Sequence, residues 1–96
     1  MATDMKGKVC LVTGTSAGIG KATAIGLAKM NATVVTVMRD SEKARKAFSE
    51  IKAQSRKSDS SLYYLIADLA SQKSVRDLAN EFNHRFEWLD VLNNNA

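Results

Sequence analysis

Residues 13–21, Thr-Gly-Thr-Ser-Ala-Gly-Ile-Gly-Lys, decide how this sequence folds. They follow a short apolar run and open a segment with helical spacing, which predicts a turn from a strand into a helix. Glycine suits such a turn because the turn is tight, because phosphates must approach its backbone, and because the helix must pack closely on the strand. The amides that begin the helix would then point at a bound phosphate. Gly14, Gly18 and Gly20 are therefore candidate phosphate-binding residues.

A glycine triplet alone is weak evidence, since a strand-helix turn that binds nothing uses the same residues. The position of this triplet favours binding, because it follows a strand, opens a helix and lies inside a β-α-β unit. Thr15 and Ser16 add hydroxyl donors beside it. We expect the turn to hold the pyrophosphate of a dinucleotide.

The apolar pattern on both sides of this turn alternates between short runs and helical spacing. Strands are predicted at 8–13, 32–38, 62–67 and 88–92, and helices over 18–30, from Asp40 or Ser41 to about residue 56, and after Ser71. This alternation implies parallel strands joined by right-handed crossovers. We expect an α/β, Rossmann-type doubly wound parallel sheet: the first four strands in the order 3-2-1-4, with three helices, truncated after strand four. Ligands bind such a sheet at the carboxyl ends of its strands, where the strand order reverses.

Composition is consistent with one partial domain over residues 1–96. Hydrophobic residues make up 45% and charged residues 25% of the chain, near the averages of globular proteins. No apolar run is long enough for a membrane helix, and residues 1–8 lack the layout of a signal peptide. Cys10 is the single cysteine, which excludes an internal disulfide. We therefore expect a cytoplasmic protein without a membrane span.

The net charge of +4 could favour an anionic ligand. Many of the basic residues fall between positions 43 and 57, where they suit the solvated face of a helix. Aromatic residues are not interleaved with them as base-stacking platforms, so nucleic-acid binding is the least favoured function. The sequence also contains no cluster of metal ligands.

The pattern Thr-Gly-x-x-x-Gly-Ile-Gly, from Thr13 to Gly20, resembles the cofactor motif of the short-chain dehydrogenase/reductase family. Gly14, Gly18 and Gly20 match the three family glycines, and Ile19 lies between the last two. The resemblance covers essentially all 96 residues, and the stretch 68–82 is similar to the retinol-dehydrogenase-like branch. It implies hydride transfer between a nicotinamide and a small carbonyl or alcohol substrate.

The end of the second strand indicates NADP (NADPH) rather than NAD. In the family pattern an acid on the last residue of this strand binds the free ribose hydroxyl of NAD, but here that residue is Met38. The next residue, Arg39, suits a 2′-phosphate, although it could also be an ordinary solvated arginine. Asp40 lies near the distance expected of an NAD-selecting acid, and we interpret it as the cap of the next helix.

Two later stretches also resemble the family. The resemblance implies that Asp68 hydrogen-bonds the adenine amino group and that Leu69 lies against the ring, whereas chemistry alone equally allows Asp68 as a turn residue. The residues that end strand four beside the cofactor match at Asn94, Asn95 and Ala96. Asn93 departs from the aliphatic residue usual in the family, so we expect strand four to end before it.

No catalytic residue is predicted. The family's Asn, Ser and Tyr-x-x-x-Lys positions lie beyond strand four, and neither Tyr63 nor Tyr64 is followed four residues later by lysine. The chain alone is therefore not expected to catalyse the reaction, and a non-enzymatic dinucleotide-binding or sensing module is the alternative. Val91 and Leu92 would form an open strand edge, which predicts self-association or marginal stability.

Overall fold

The computed structural model describes residues 6–14, 18–55 and 62–93. These residues form four strands, β1 (Val9–Thr13), β2 (Thr33–Met38), β3 (Leu62–Ile66) and β4 (Val91–Asn93). The helices between them are α1 (Gly18–Lys29), α2 (Ser41–Ser55) and α3 (Gln72–Arg85). The order along the chain is β-α-β-α-β-α-β, as the apolar pattern predicts.

The four strands form one parallel sheet in the order β3-β2-β1-β4. Strand β1 is central, and its residue Val12 pairs with Thr36 on one side and Asn93 on the other. The carboxyl ends of all four strands therefore meet at one edge of the sheet. This confirms the predicted topology of a Rossmann-type sheet.

One face of the sheet, called here the α1/α2 face, is covered by two helices. Its buried cluster combines strand residues with small or branched helix residues, namely Cys10, Val12, Val34, Leu62, Ala24, Ala28 and Ile51. The alanines let α1 lie close to the strands, and α1 is also joined to α2 by an ion pair between Lys21 Nζ and Glu50 Oε1 at 2.9 Å. Burial, and secondarily the charge of Asp90, raises the pKa of the Cys10 thiol, which keeps it protonated in this core.

The opposite face, the α3 face, is covered by α3. The buried strand residues Val35, Val37 and Leu65 pack here with Phe82 of α3. Phe86, at the end of α3, lies 4.9 Å from the ring of Phe82 and edge-on to Tyr63 at 5.2 Å between ring centroids. Leu92 pairs with Leu11 of this face and remains 61% exposed.

The residues at the helix ends adopt the conformations and hydrogen bonds that their side chains favour. Asn31 follows α1 with φ of 72°, the left-handed conformation that asparagine tolerates. Oδ1 of Asp40 accepts hydrogen bonds from the amides of Glu42 and Lys43 at 2.9 and 3.2 Å, which confirms it as the cap of α2. Oγ of Ser71 caps α3.

The prediction for strand four was wrong at both ends. Asp90 exchanges two hydrogen bonds with Val9, giving its own amide to the carbonyl of Val9 at 2.9 Å and accepting the amide of Val9 on Oδ2 at 2.8 Å. This exchange aligns the chain with β1, so the strand begins at Val91, and Trp88 lies before it, 52% exposed. Asn93 belongs to the strand because its backbone continues the pairing with Val12, whatever its side chain. Among the described residues, no helix combines the length and apolar character needed to cross a membrane.

Candidate functional site at the carboxyl edge of the sheet

An open cleft of about 530 Å³ lies at the carboxyl ends of β1, β2 and β3. Its lining comes from the ends of these strands and the first residues after them: Thr13, Gly14, Val37, Met38, Arg39, Asp40, Lys43, Ala67, Asp68, Leu69 and Ala70. A volume of about 300–1,000 Å³ is usual for a small-molecule site. The cleft also lies where open parallel sheets bind their ligands.

The described start of the glycine turn, at Gly14, lies on the β1 side of the cleft. Gly14 donates its amide to the carbonyl of Val37 at 3.2 Å, which ties the end of β1 to β2. A Cβ on Gly20 would overlap the carbonyl oxygen of Gly14, so only glycine lets α1 begin so close to the end of β1. Gly18 opens the helix with φ of 64°, a conformation that other residues rarely adopt. Among the described residues, the end of β1 at Thr13 and Gly14 therefore forms this wall.

Two residues of the turn that are predicted to bind the cofactor lie outside the described residues. They are Thr15 and Ser16. Ile19 is described and is 78% exposed at the start of α1. Gly18 is exposed beside it. Neither belongs to the described lining of the cleft. The described residues thus place the turn's backbone, and not the Ile19 side chain, against the cleft.

Positive charge is concentrated where β2 leads into α2. Arg39 and Lys43 are both exposed and line the cleft. Asp40 stands between them in sequence, but its Oδ1 accepts two helix amides. These amides partly compensate its charge, so the arginine and the lysine dominate the field at this end of the cleft.

The sequence analysis missed Lys43, because it was grouped with the solvated basic residues of α2. A spacing argument could have found it. Once Asp40 is predicted to cap α2, a lysine three positions later falls in the first turn of that helix, beside the end of β2 where ligands bind.

Asp68 follows the last hydrogen bond between β3 and β2, so it lies on the side of the cleft opposite the glycine turn that follows β1. Its Oδ1 accepts the amide of Ala70 at 3.0 Å, which is the turn role that its chemistry allows. Within the described chain, its Oδ2 receives no hydrogen bond, so this oxygen can still accept one from a ligand. Leu69, 40% exposed, supplies apolar surface to the same wall.

The remaining predicted site residues, Asn94, Asn95 and Ala96, lie outside the described residues. Where the structure describes the chain, no group of acidic, histidine or cysteine side chains could hold a metal ion. The rings of Tyr63 and Tyr64 pack on Phe86 and Phe48, as core and helix-facing residues do. The cleft as described can bind an extended anionic ligand, and none of these tyrosines is placed for chemistry on it.

Comparison with known proteins identifies what the chain resembles. The family model described as short chain dehydrogenase matches residues 8–96. Human retinol dehydrogenase 13 is 38% identical over 90 residues, which cover 94% of this chain and 27% of that protein. The chain therefore spans little more than a quarter of that relative's length.

Solved structures share the fold. The L-sorbose reductase of Gluconobacter frateurii, complexed with NADPH and L-sorbose, superposes with a TM-score of 0.86 at 31% identity, covering 100% of this chain and 35% of that one. The Pseudomonas aeruginosa RhlG/NADP active-site complex superposes with a TM-score of 0.86 at 33% identity, covering 99% and 36%.

Proposed function

Because this chain belongs to the short-chain dehydrogenase family of dinucleotide-binding oxidoreductases, we propose that it forms the NADP-binding part of such an enzyme. The reaction we propose for the whole protein is hydride transfer between the nicotinamide and a small carbonyl or alcohol substrate. The observation that carries the proposal is the cleft of about 530 Å³, which has the end of β1 with Gly14 on one side, Arg39 and Lys43 where β2 ends, and Asp68 after β3. A bound dinucleotide would supply the hydride donor or acceptor.

The residues of the cleft fit a dinucleotide by their chemistry. At Gly20 any side chain would collide with the carbonyl of Gly14, so the turn is built for close approach of backbone. The amides at the start of α1 are suited to the pyrophosphate, together with the hydroxyls of Thr15 and Ser16. Oδ2 of Asp68 suits the adenine amino group, and Leu69 offers an apolar surface to the ring. Asn94, Asn95 and Ala96 complete the proposed set beyond β4.

NADP is proposed over NAD because of the charges after β2. A 2′-phosphate would meet Arg39 and Lys43, whereas the carboxylate that would repel it, on Asp40, is engaged in capping α2. The relatives complexed with NADPH and NADP support the same choice.

Parallel fluorescence titrations with NADPH and NADH test this proposal. We expect NADPH to bind more tightly than NADH. Arg39→Ala should lower the affinity for NADPH by about ten- to a hundredfold, which is the loss expected for one charge-assisted hydrogen bond. NADH affinity should change little, because NADH carries no 2′-phosphate. Arg45→Ala is the matched control, since Arg45 is an exposed arginine of α2 outside the cleft lining.

Each alternative outcome of this titration has a distinct meaning. An NADPH/NADH ratio that survives Arg39→Ala would contradict the role of Arg39 and leave dinucleotide binding intact. Equal binding of the two dinucleotides by the unaltered chain would contradict the NADP assignment. Binding of neither would contradict the proposed function of this chain.

We also propose that two copies of the chain associate through β4. The strand pairs with β1 alone in the described sheet, and Leu92 is 61% exposed on it. An open edge with an exposed apolar side chain favours pairing with another chain.

A further inference from the structure

The hydroxyl of Ser74 holds the backbone of Asp68. We propose that Ser74 is a positioning residue, which orients the Asp68 carboxylate for recognition of the adenine amino group and thereby sets the selectivity for adenine. The proposal rests on the proposed dinucleotide-binding function. Ser74 does not line the cleft, so it acts through Asp68.

The first observation is the path of the chain as it leaves β3. The amide of Ala67 makes the last hydrogen bond to β2, with the carbonyl of Met38 at 3.0 Å. The next amide, that of Asp68, instead donates to Oγ of Ser74 at 2.7 Å. Ser74 thus accepts the backbone hydrogen bond of Asp68 at the point where the chain leaves the sheet beside the cleft.

The second observation is how completely Asp68 is held. Its carbonyl accepts the amide of Ser71 at 3.0 Å, and its Oδ1 accepts the amide of Ala70 at 3.0 Å. With the amide on Ser74, three of its four polar groups are engaged within the described chain, and Oδ2 is left for a ligand. A carboxylate held in this way has little orientational freedom to lose when it binds.

The third observation is that Ser74 is itself fixed. It lies in the first turn of α3, where its amide donates to Oγ of Ser71 at 3.2 Å. The helix is anchored to the sheet by Phe82, which is 8% exposed. The position of Asp68 is therefore fixed by its contact with a packed helix, and not by the loop alone.

Adenine selectivity separates this role from a merely structural one. Adenine carries an amino donor where hypoxanthine carries a carbonyl acceptor, so a correctly oriented carboxylate prefers adenine. Loss of folding stability would lower the affinities for both dinucleotides by the same factor. A misoriented Asp68 would instead reduce the preference for the adenine dinucleotide over the hypoxanthine one. The ratio of the two affinities is thus the informative quantity.

The experiment titrates the chain with NADPH and with its hypoxanthine analogue. We expect the unaltered chain to prefer NADPH by about tenfold or more, as for one hydrogen bond to a charged group. Ser74→Ala should reduce this preference to about threefold or less, and Ser74→Thr, which keeps the hydroxyl, should restore it. Leu78→Ala is the matched control: it removes apolar packing of the same helix and lowers the melting temperature, but leaves the Ser74 hydroxyl and its hydrogen bond with Ser71 in place.

A full adenine preference in folded Ser74→Ala would overturn the proposal. If circular dichroism shows that this variant is unfolded, Ser74→Cys replaces it, because sulfur is a weak acceptor of similar size, and an unchanged ratio there has the same meaning. Equal binding of both dinucleotides by the unaltered chain would overturn the roles of Asp68 and Ser74 while keeping dinucleotide binding. Failure to bind either one would overturn the proposed function itself.

Discussion

On the α1/α2 face of the sheet, Cys10, Val12 and Val34 have no exposed surface, whereas on the α3 face Leu92 keeps 61% of its surface exposed. Two helices cover the first face and one covers the second. The helices themselves differ in the same way, since α2 buries four residues and α3 buries Phe82 alone. The α1/α2 face is therefore the more completely covered of the two, although Val35 and Val37 are buried on the α3 face as well, and we expect the α1/α2 face to contribute more to stability.

Truncation of one apolar helix residue on each face should give the largest measurable difference in unfolding free energy. Ile51→Ala, on the α1/α2 face, removes a fully buried side chain and is expected to cost about 3–4 kcal/mol of unfolding free energy. Leu78→Ala, at a half-buried position packed on the α3 face, is expected to cost about 1–2 kcal/mol. Urea denaturation followed by circular dichroism measures both. Equal costs would mean that the two faces contribute equally.

The exposed edge of the α3 face allows a second test, in which association rather than stability changes. Leu92→Lys should reduce self-association by placing charge on an open strand edge, with a change in unfolding free energy within about 0.5 kcal/mol because the residue is exposed. Sedimentation velocity across a range of protein concentrations measures the effect. Leu89→Lys, which makes the same substitution and the same charge change at an exposed position before β4, is the control. A monomeric unaltered chain would contradict the proposed association through β4.

The smallest expected effect concerns the ion pair that joins α1 to α2. The hydrogen bond and charge of Lys21 lower the pKa of Glu50 below its ordinary value. The pair therefore stabilises the fold above the ordinary glutamate pKa, and this contribution is lost as the pH falls through the lowered pKa. Glu50→Gln should lower the melting temperature slightly at neutral pH, and the difference should vanish in acid. Glu87→Gln, at an exposed position outside the helices and strands, is the control for a charge change alone.

Much of the fold could be predicted because local chemistry and global topology agree. The switch between short apolar runs and helical spacing gave all seven elements, and the glycine turn placed the crevice beside β1. Caps at Asp40 and Ser71 follow from side chains that hydrogen-bond nearby amides. The start of β4 was predicted wrongly, because it depends on the exchange between Asp90 and Val9, which are distant in sequence.

The candidate site was predictable only in part, for a similar reason. Gly14, Arg39, Asp68 and Leu69 were named from the sequence, and the structure brings them around one cleft. Lys43 was not named, because the basic residues between positions 43 and 57 were interpreted together as the solvated face of a helix. Ser74 was not, because its contact with Asp68 spans a six-residue turn whose shape no residue pattern specifies.

The bond from Val9 to Asp90 joins residues 81 positions apart, and it lies at the start of the pairing between β1 and β4. Closing so long a loop is slow, because the chain loses entropy before the contact forms. On a ribosome that adds about 5–20 residues per second, β1 would wait roughly 4–16 seconds for β4 to be made. During that interval the backbone amides and carbonyls on one side of β1 lack the strand that pairs with them in the folded sheet, so this side is open to non-native pairing.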